Sequence, residues 1–276
     1  MKNMSNTVIN TLPVPTFRWL GVNDLQRDIK EYETEETIIT AAEGEEKSAV
    51  VFIEKEGVTD IHVSAADGAK VKLVQVFDVR GQAVSNVKAE VAENADFELV
   101  QLYLGGDVAS EIITDLNGRK ARFSADIGYL LNDGDKLDIN LLANHFGRKT
   151  LSEINARGVL NGSAEKVFKG TIDFKNGAVG AKGSEKEEVL LMSDVAVNKT
   201  VPLILCAEED VEGSHGASIG RLDEKQVFYM QTRGIGEEKI YELAAGAKIR
   251  QVLAKIDDEA AVKRIKTRIG RGEEDE

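Results

Sequence analysis

The chain has one cysteine, Cys206, in 276 residues. A lone thiol excludes an internal disulfide and a zinc site built from several cysteines, and it makes the cytoplasm the expected compartment. Aromatic residues make up only 5%, too few to line a sugar-stacking cleft of the kind a carbohydrate-active enzyme needs. No segment approaches the roughly 20 apolar residues of a membrane-spanning helix. The opening MKNMSNTVINTLPVP lacks the apolar run of a secretion signal. Positive charge is also short: 35 Lys and Arg face 48 Asp and Glu, a net charge of −13. General nucleic-acid binding needs the opposite balance, because phosphates are neutralised by Lys and Arg. Catalytic signatures are missing too. GAVGAKGS, Gly177 to Ser184, has the residue types of a phosphate-binding loop without its spacing. There is no Gly-x-Ser-x-Gly elbow. His62 sits in an ordinary strand pattern, and His145 reads as a satisfied core or turn histidine.

What is present is strand texture. From Ala49 to about Tyr229, short apolar runs recur between turn signals such as Asp67-Gly68, Asn132-Asp133-Gly134 and Asn161-Gly162. KVKLVQVF (Lys70 to Phe77) and DKLDINLL (Asp135 to Leu142) alternate polar and apolar, the period of half-buried strands. Such an array fits a sandwich, a barrel or a solenoid. With no fixed-length repeat, the pattern by itself slightly favours a sandwich.

After Gly234 the period changes. Ile240, Leu243, Ala244 and Ala247 share one helical face, and Ile249, Val252, Leu253 and Ile256 continue the spacing. Asp257 or Asp258 is placed to cap a further helix carrying Val262, Ile265 and Ile269. The expected organisation is a lead-in segment over 1–45, a β domain over 46–232 and a helical segment over 233–276. Within the lead-in, Phe17, Trp19 and Leu20 are expected anchors, and acidic Thr34 to Glu46 reads as a connector. The helical pair is too short for its own core, so its apolar face must meet the β domain or a partner.

The densest chemistry lies around His215. Within ten residues of it stand Cys206, Glu208, Glu209, Asp210 and Glu212. Thiolate, imidazole and carboxylate are all ligand types for iron or zinc. If Val201–Asp210 is a strand with Leu203, Leu205 and Ala207 on its apolar face, then Cys206 and Glu208 share the outer face, and His215 returns beside them after a turn at Gly213. The opposite register buries Cys206 as a small apolar residue. One thiolate cannot hold an iron–sulfur cluster, but a two-fold dimer doubles the ligands near its axis.

NHFGRKTLSEINARGVLNGSAEKVFKGTI, LLMSDVAVNKTVPLILCAEEDVEGSHGASIG and RLDEKQVFYMQTRGI resemble, in order, the strand array, last rungs and helical lead of the SufB/SufD family of iron–sulfur cluster assembly scaffolds. That resemblance implies a mainly β fold, a right-handed parallel β-helix with a small C-terminal α-helical segment, in place of the sandwich. It implies a homodimer, or a heterodimer with a second family member, formed through the β-helix. It also implies C-terminal helices that dock a SufC-type ABC ATPase, and a transient cluster assembled at the dimer interface. The chain itself would not be an enzyme. His215, in SHGA, matches the motif histidine of the SufD branch. Ser214 and Gly216 stand where the SufB branch has Glu, and Ala196 where it has its scaffold cysteine. The candidate ligands are Cys206, Glu208 and His215, with Glu212 as a further metal ligand. The alternative is a structural SufD-like partner without cluster ligands, supporting dimer geometry and iron delivery.

Overall fold

The computed structural model describes residues 6–16, 18–28 and 34–271. The short strands β1 (Asn6–Ile9) and β2 (Leu25–Asp28) pair antiparallel. Fourteen further strands follow. They are β3 (Thr34–Ala41), β4 (Glu46–Ile53), β5 (Gly57–Ala65), β6 (Lys70–Phe77), β7 (Gln82–Val91), β8 (Asp96–Tyr103), β9 (Asp107–Leu116), β10 (Arg122–Leu131), β11 (Lys136–His145), β12 (Leu151–Leu160), β13 (Glu165–Phe174), β14 (Ala181–Leu191), β15 (Val197–Cys206) and β16 (Val211–Gly220). The odd strands from β3 onward form one seven-stranded parallel sheet and the even strands from β4 another. Each consecutive pair is one rung of a parallel β-solenoid, and each strand pairs with the strand two further on.

The alternation seen in sequence fills the space between the sheets. In β10, Phe123, Ala125, Ile127, Tyr129 and Leu131 all point inward into one continuous core. Rungs place like residues over like, so Phe77 stacks on Tyr103 with ring centroids 4.4 Å apart and Phe97 on Phe123 at 5.5 Å. One corner turns through the left-handed region in successive rungs, at Gly44, Gly68, Asn94, Lys120, Lys149 and Gly180. Each of these residues donates its backbone N–H to a carbonyl of the next rung, as Asn94 does to Arg119 at 2.9 Å. Glycine and asparagine take that conformation readily, lysine less so.

The sandwich favoured by pattern is therefore overturned. Alternation fixes which face a residue occupies and says nothing about whether a strand pairs with its sequence neighbour. Thr34–Ala41, read as a connector, is β3 of the first rung, held by its pairing with β5. Two apolar inward residues, Ile39 and Ala41, suffice once a neighbouring strand supplies the hydrogen bonds.

Ahead of that rung, the N-terminal segment straps across the outer face of the odd sheet. The Asn10 side-chain amide donates to the Asp138 backbone carbonyl at 2.9 Å and to its carboxylate at 2.6 Å. Buried Lys169 donates to the Asn10 carbonyl at 2.9 Å and pairs with Asp138 at 2.8 Å. Leu12 and Val22 pack on Val201 with Leu20 beside them. Of the expected anchors, Leu20 serves, Trp19 is 80% exposed, and Phe17 lies outside the described residues.

Three helices follow β16: α1 (Glu224–Thr232), α2 (Glu237–Leu253) and α3 (Glu259–Arg271). The helical segment thus begins at Glu224, before residue 233. The Asp223 carboxylate caps α1 through the Lys225 N–H at 2.7 Å, and Asp258 caps α3 through Ala261 N–H at 2.8 Å. Ile249, Val252, Leu253, Ile256, Ala261 and Ile265 pack on Val74, Val76, Val100 and Leu102 of the even sheet. Gly128 lets α2 approach, since a Cβ there would stand 3.1 Å from a Val252 methyl. The apolar residues of α2 and α3 in this cluster are thus covered by the chain's own sheet, whereas α1 buries none. Each fully buried side chain of this kind contributes about 1.5–3 kcal/mol. Among the described residues no helix is long and apolar enough to cross a membrane.

Candidate functional site

The solenoid ends on an uncovered rung. Among the described residues, β15 hydrogen-bonds only β13, and β16 only β14, so each presents a row of unpaired backbone groups, a surface that invites a further chain. Partners in a parallel register share a face. Cys206 is in register with Phe174 and His215 with Glu185. Phe174 belongs to the inner core and Ile204 packs against it, while Leu203 packs outward with Leu12 and Val22. The register is therefore the reverse of the one that put Leu203 inside and Cys206 outside. Cys206 is nonetheless exposed, because among the described residues no rung lies beyond it. His215 is exposed on the same inward side, and Gly213 lies within β16 instead of at a turn.

The two acidic candidates are engaged elsewhere. The Glu208 carboxylate accepts the N–H of Gly177 at 3.1 Å and of Glu209 at 3.0 Å. Those amides hold its pKa below the ordinary carboxylate value. It closes the turn between β15 and β16. Glu212, on the outward side of β16, pairs with Lys182 at 2.8 Å. Among the described residues, no three His, Cys, Asp or Glu side chains converge closely enough to hold a metal ion within one chain. The four candidates share a rung without forming a single-chain cage.

Beneath the open rung lies a polar floor that the sequence reading missed. Lys166 and Glu187 are fully buried and paired. Glu187 also accepts the hydroxyls of Tyr129 at 2.9 Å and Thr200 at 2.5 Å. Burial pushes the Lys166 pKa down, with the Glu187 charge opposing that shift. Glu185 stands on the same inward row; burial, with Glu187 nearby, raises its pKa to about 8, with Lys166 opposing. The signal was the sequence EKEEV over 185–189, which places carboxylates where the neighbouring strands have apolar residues. Seeing it required the register.

His145 is wholly buried, with its ring nitrogens 2.8 Å from Thr150 Oγ1 and 2.9 Å from Ser152 Oγ. It is a core histidine, and His62 lies exposed on the outer face of β5. Gly177 to Ser184 forms a corner and the start of β14, with no helix N-terminus to receive a phosphate.

These features define a class: a two-sheet parallel β-solenoid with a thiol and an imidazole on its last rung and helices folded onto one outer face. The family described as "SUF system FeS cluster assembly, SufBD core domain" matches residues 25–247, and the chain belongs to it. It is 26% identical over 236 residues to the iron–sulfur cluster assembly protein SufD of Bacillus subtilis (strain 168), covering 80% of this chain and 54% of that protein. It is 30% identical over 112 residues to SufD of Escherichia coli (strain K12), covering 41% of this chain and 26% of that protein. A chloroplastic SufBD family protein of Arabidopsis thaliana is 29% identical over 130 residues, 47% of this chain and 23% of that protein. The chain thus spans about half or less of the length of these relatives.

Proposed function

We propose that this chain is a non-enzymatic scaffold subunit of SUF-type iron–sulfur cluster assembly in the cytoplasm, working as a dimer with a SufC-type ABC ATPase. The observation that carries this reading is the open last rung, where the unpaired edges of β15 and β16 flank Cys206 and His215. Joining two such ends, or one such end and that of a second family member, satisfies the strand edges and doubles the ligand count. A site with one thiolate per chain needs that doubling, because iron–sulfur clusters are held by several thiolates. The cluster is cargo, assembled there and passed on.

The ATPase would dock at α1. With α2 and α3 committed to the sheet, the large apolar side chains left outward on the helices are Phe228, Tyr229 and Leu243, 67%, 58% and 41% exposed. A shallow groove of about 260 Å³ beside them is lined by Leu222, Val227, Met230 and Ile240.

The test is anaerobic cluster reconstitution on the chain co-purified with its ATPase, wild type beside Cys206→Ala, read by visible absorption and by iron and sulfide content. A cluster present in wild type and lost in the variant supports the scaffold. Ser214 and Gly216 beside His215 favour a second reading, a structural SufD-like partner that lacks its own ligands. No cluster in either protein, despite a stable ATPase complex, would establish that reading instead.

A further inference from the structure

The N-terminal segment is a hairpin, and its tip reaches the last strand of the odd sheet. β1 and β2 pair from Asn6 with Asp28 to Ile9 with Leu25. The Leu12 N–H donates to the Asn23 carbonyl at 2.8 Å, which holds the two legs together further out. Both legs lie on the outer face of the odd sheet. Asn10 is fixed to β11 and β13 through Asp138 and Lys169. Leu12 and Val22 pack on Val201 of β15, and Lys199 of β15 donates to the Leu20 carbonyl at 2.9 Å. The tip therefore stands at β15, beyond which no strand lies among the described residues.

The tip is held in shape by its own chemistry. Pro13 and Pro15, two of the chain's three prolines, stiffen the outgoing leg. The Asn23 Oδ1 accepts the Thr16 N–H at 2.6 Å and the Thr16 hydroxyl at 3.1 Å. A single 3₁₀ turn over Arg18–Leu20 follows, and Gly21 turns the chain back at φ +60°. On this tip the chain's only tryptophan, Trp19, is 80% exposed. Val197, two residues before Lys199 on the same face of β15, is 41% exposed, and Val195 just ahead of it 67%. An aromatic side chain carries about 150–250 Å² of surface to bury. Tryptophan is among the commonest interface anchors, and a loop already held in shape loses little entropy when it binds.

We propose that the hairpin tip is an arm of the interface between two copies of this chain, with Trp19 anchored on the partner copy beside the joined edges of β15 and β16. The inference rests on the dimer reading and adds a second contact outside the solenoid. The occupant is a second copy because the arm is continuous with the strand edges that such a copy would cover. A two-fold interface then gives each chain one arm and one receiving surface. Two copies each carrying −13 repel at long range, and an apolar anchor at the rim opposes that repulsion.

The test is a dilution series of the full chain, followed by sedimentation velocity and by tryptophan emission, which reports Trp19 alone. Emission is expected to shift to the blue as the dimer forms and to return to the red on dilution. Trp19→Ala is expected to weaken dimerisation about tenfold or more, and Trp19→Phe less. Neither changes the circular dichroism or the melting temperature of the monomer, because the position is exposed. Ile38→Ser, at a residue 72% exposed on the first rung, dimerises as wild type. A dimer whose emission does not move with assembly, or whose Trp19→Ala variant associates as wild type, overturns the proposal and leaves the dimer reading standing. A wild-type chain that stays monomeric at every concentration overturns both. An emission shift that appears only when the ATPase is added assigns the arm to that partner and overturns the proposal as well.

Discussion

Replacing Lys166 with methionine isolates what holds the last rungs together. The substitution keeps an unbranched side chain of similar length and leaves the Glu187 carboxylate buried with two hydroxyl donors and no cation. Both members of the pair have no solvent exposure, so screening does not soften the loss. Breaking such a pair from one side costs about 3–5 kcal/mol. At about 2–4 °C per kcal/mol for a chain of this size class, the melting temperature falls by roughly 6–20 °C. Solenoid stability is a sum over rungs and their interfaces, so the damage concentrates where the pair acts. Thr200, which bonds Glu187, lies in β15, and amides of β15 and β16 are expected to exchange faster than those of β6 to β10. Lys166→Met combined with Glu187→Gln removes the stranded charge; the amide oxygen accepts one of the two hydroxyls and the amide N–H donates to the oxygen of the other. The double variant is expected to regain most of the loss. Thermal unfolding by circular dichroism and hydrogen exchange by mass spectrometry read both effects. A single variant melting within about 2 °C of wild type, or a double variant no better than the single, would refute the reasoning.

Two further predictions concern other parts of the molecule. Burial lowers the pKa of His145 to about 4 from 6.5. As pH falls the unfolded chain takes up this proton first, so the contribution is complete above about 6.5 and is lost toward pH 4, by roughly 3 kcal/mol; His145→Gln should flatten that limb of the stability profile measured by denaturant unfolding. On the helices, Phe228→Ala and Tyr229→Ala should each weaken the ATPase complex about tenfold, as anchor truncation does, while exposed positions leave the melting temperature nearly unchanged; calorimetric titration with the ATPase reads the first and a thermal melt the second.

The elements themselves were largely legible. KVKLVQVF and DKLDINLL declare strands by period two, and the spacing from Ile240 to Ile256 declares a helix by period 3.6, because burial of one face imposes those periods on any sequence that folds this way. The pairing of the strands was not legible. Strands with identical alternation can form hairpins or stack as rungs, and the odd strands begin at residues 34, 57, 82, 107, 136, 165 and 197, so rung lengths drift and no fixed repeat shows. The destination of the helical apolar face was equally open, since a sequence states that Val252 must be buried and not against what.

The site divides in the same way. By itself the sequence identified the chemical types around His215: the only thiol, an imidazole and a surplus of carboxylates. Only the tertiary structure decided which of them face together. Neighbours along a strand alternate faces, whereas residues 30 apart share one when a full rung separates them, as Glu185 and His215 do. Chain proximity therefore nominated Glu208 and Glu212, which the structure engages with turn amides and with Lys182, whereas rung stacking sets Glu185 beneath His215.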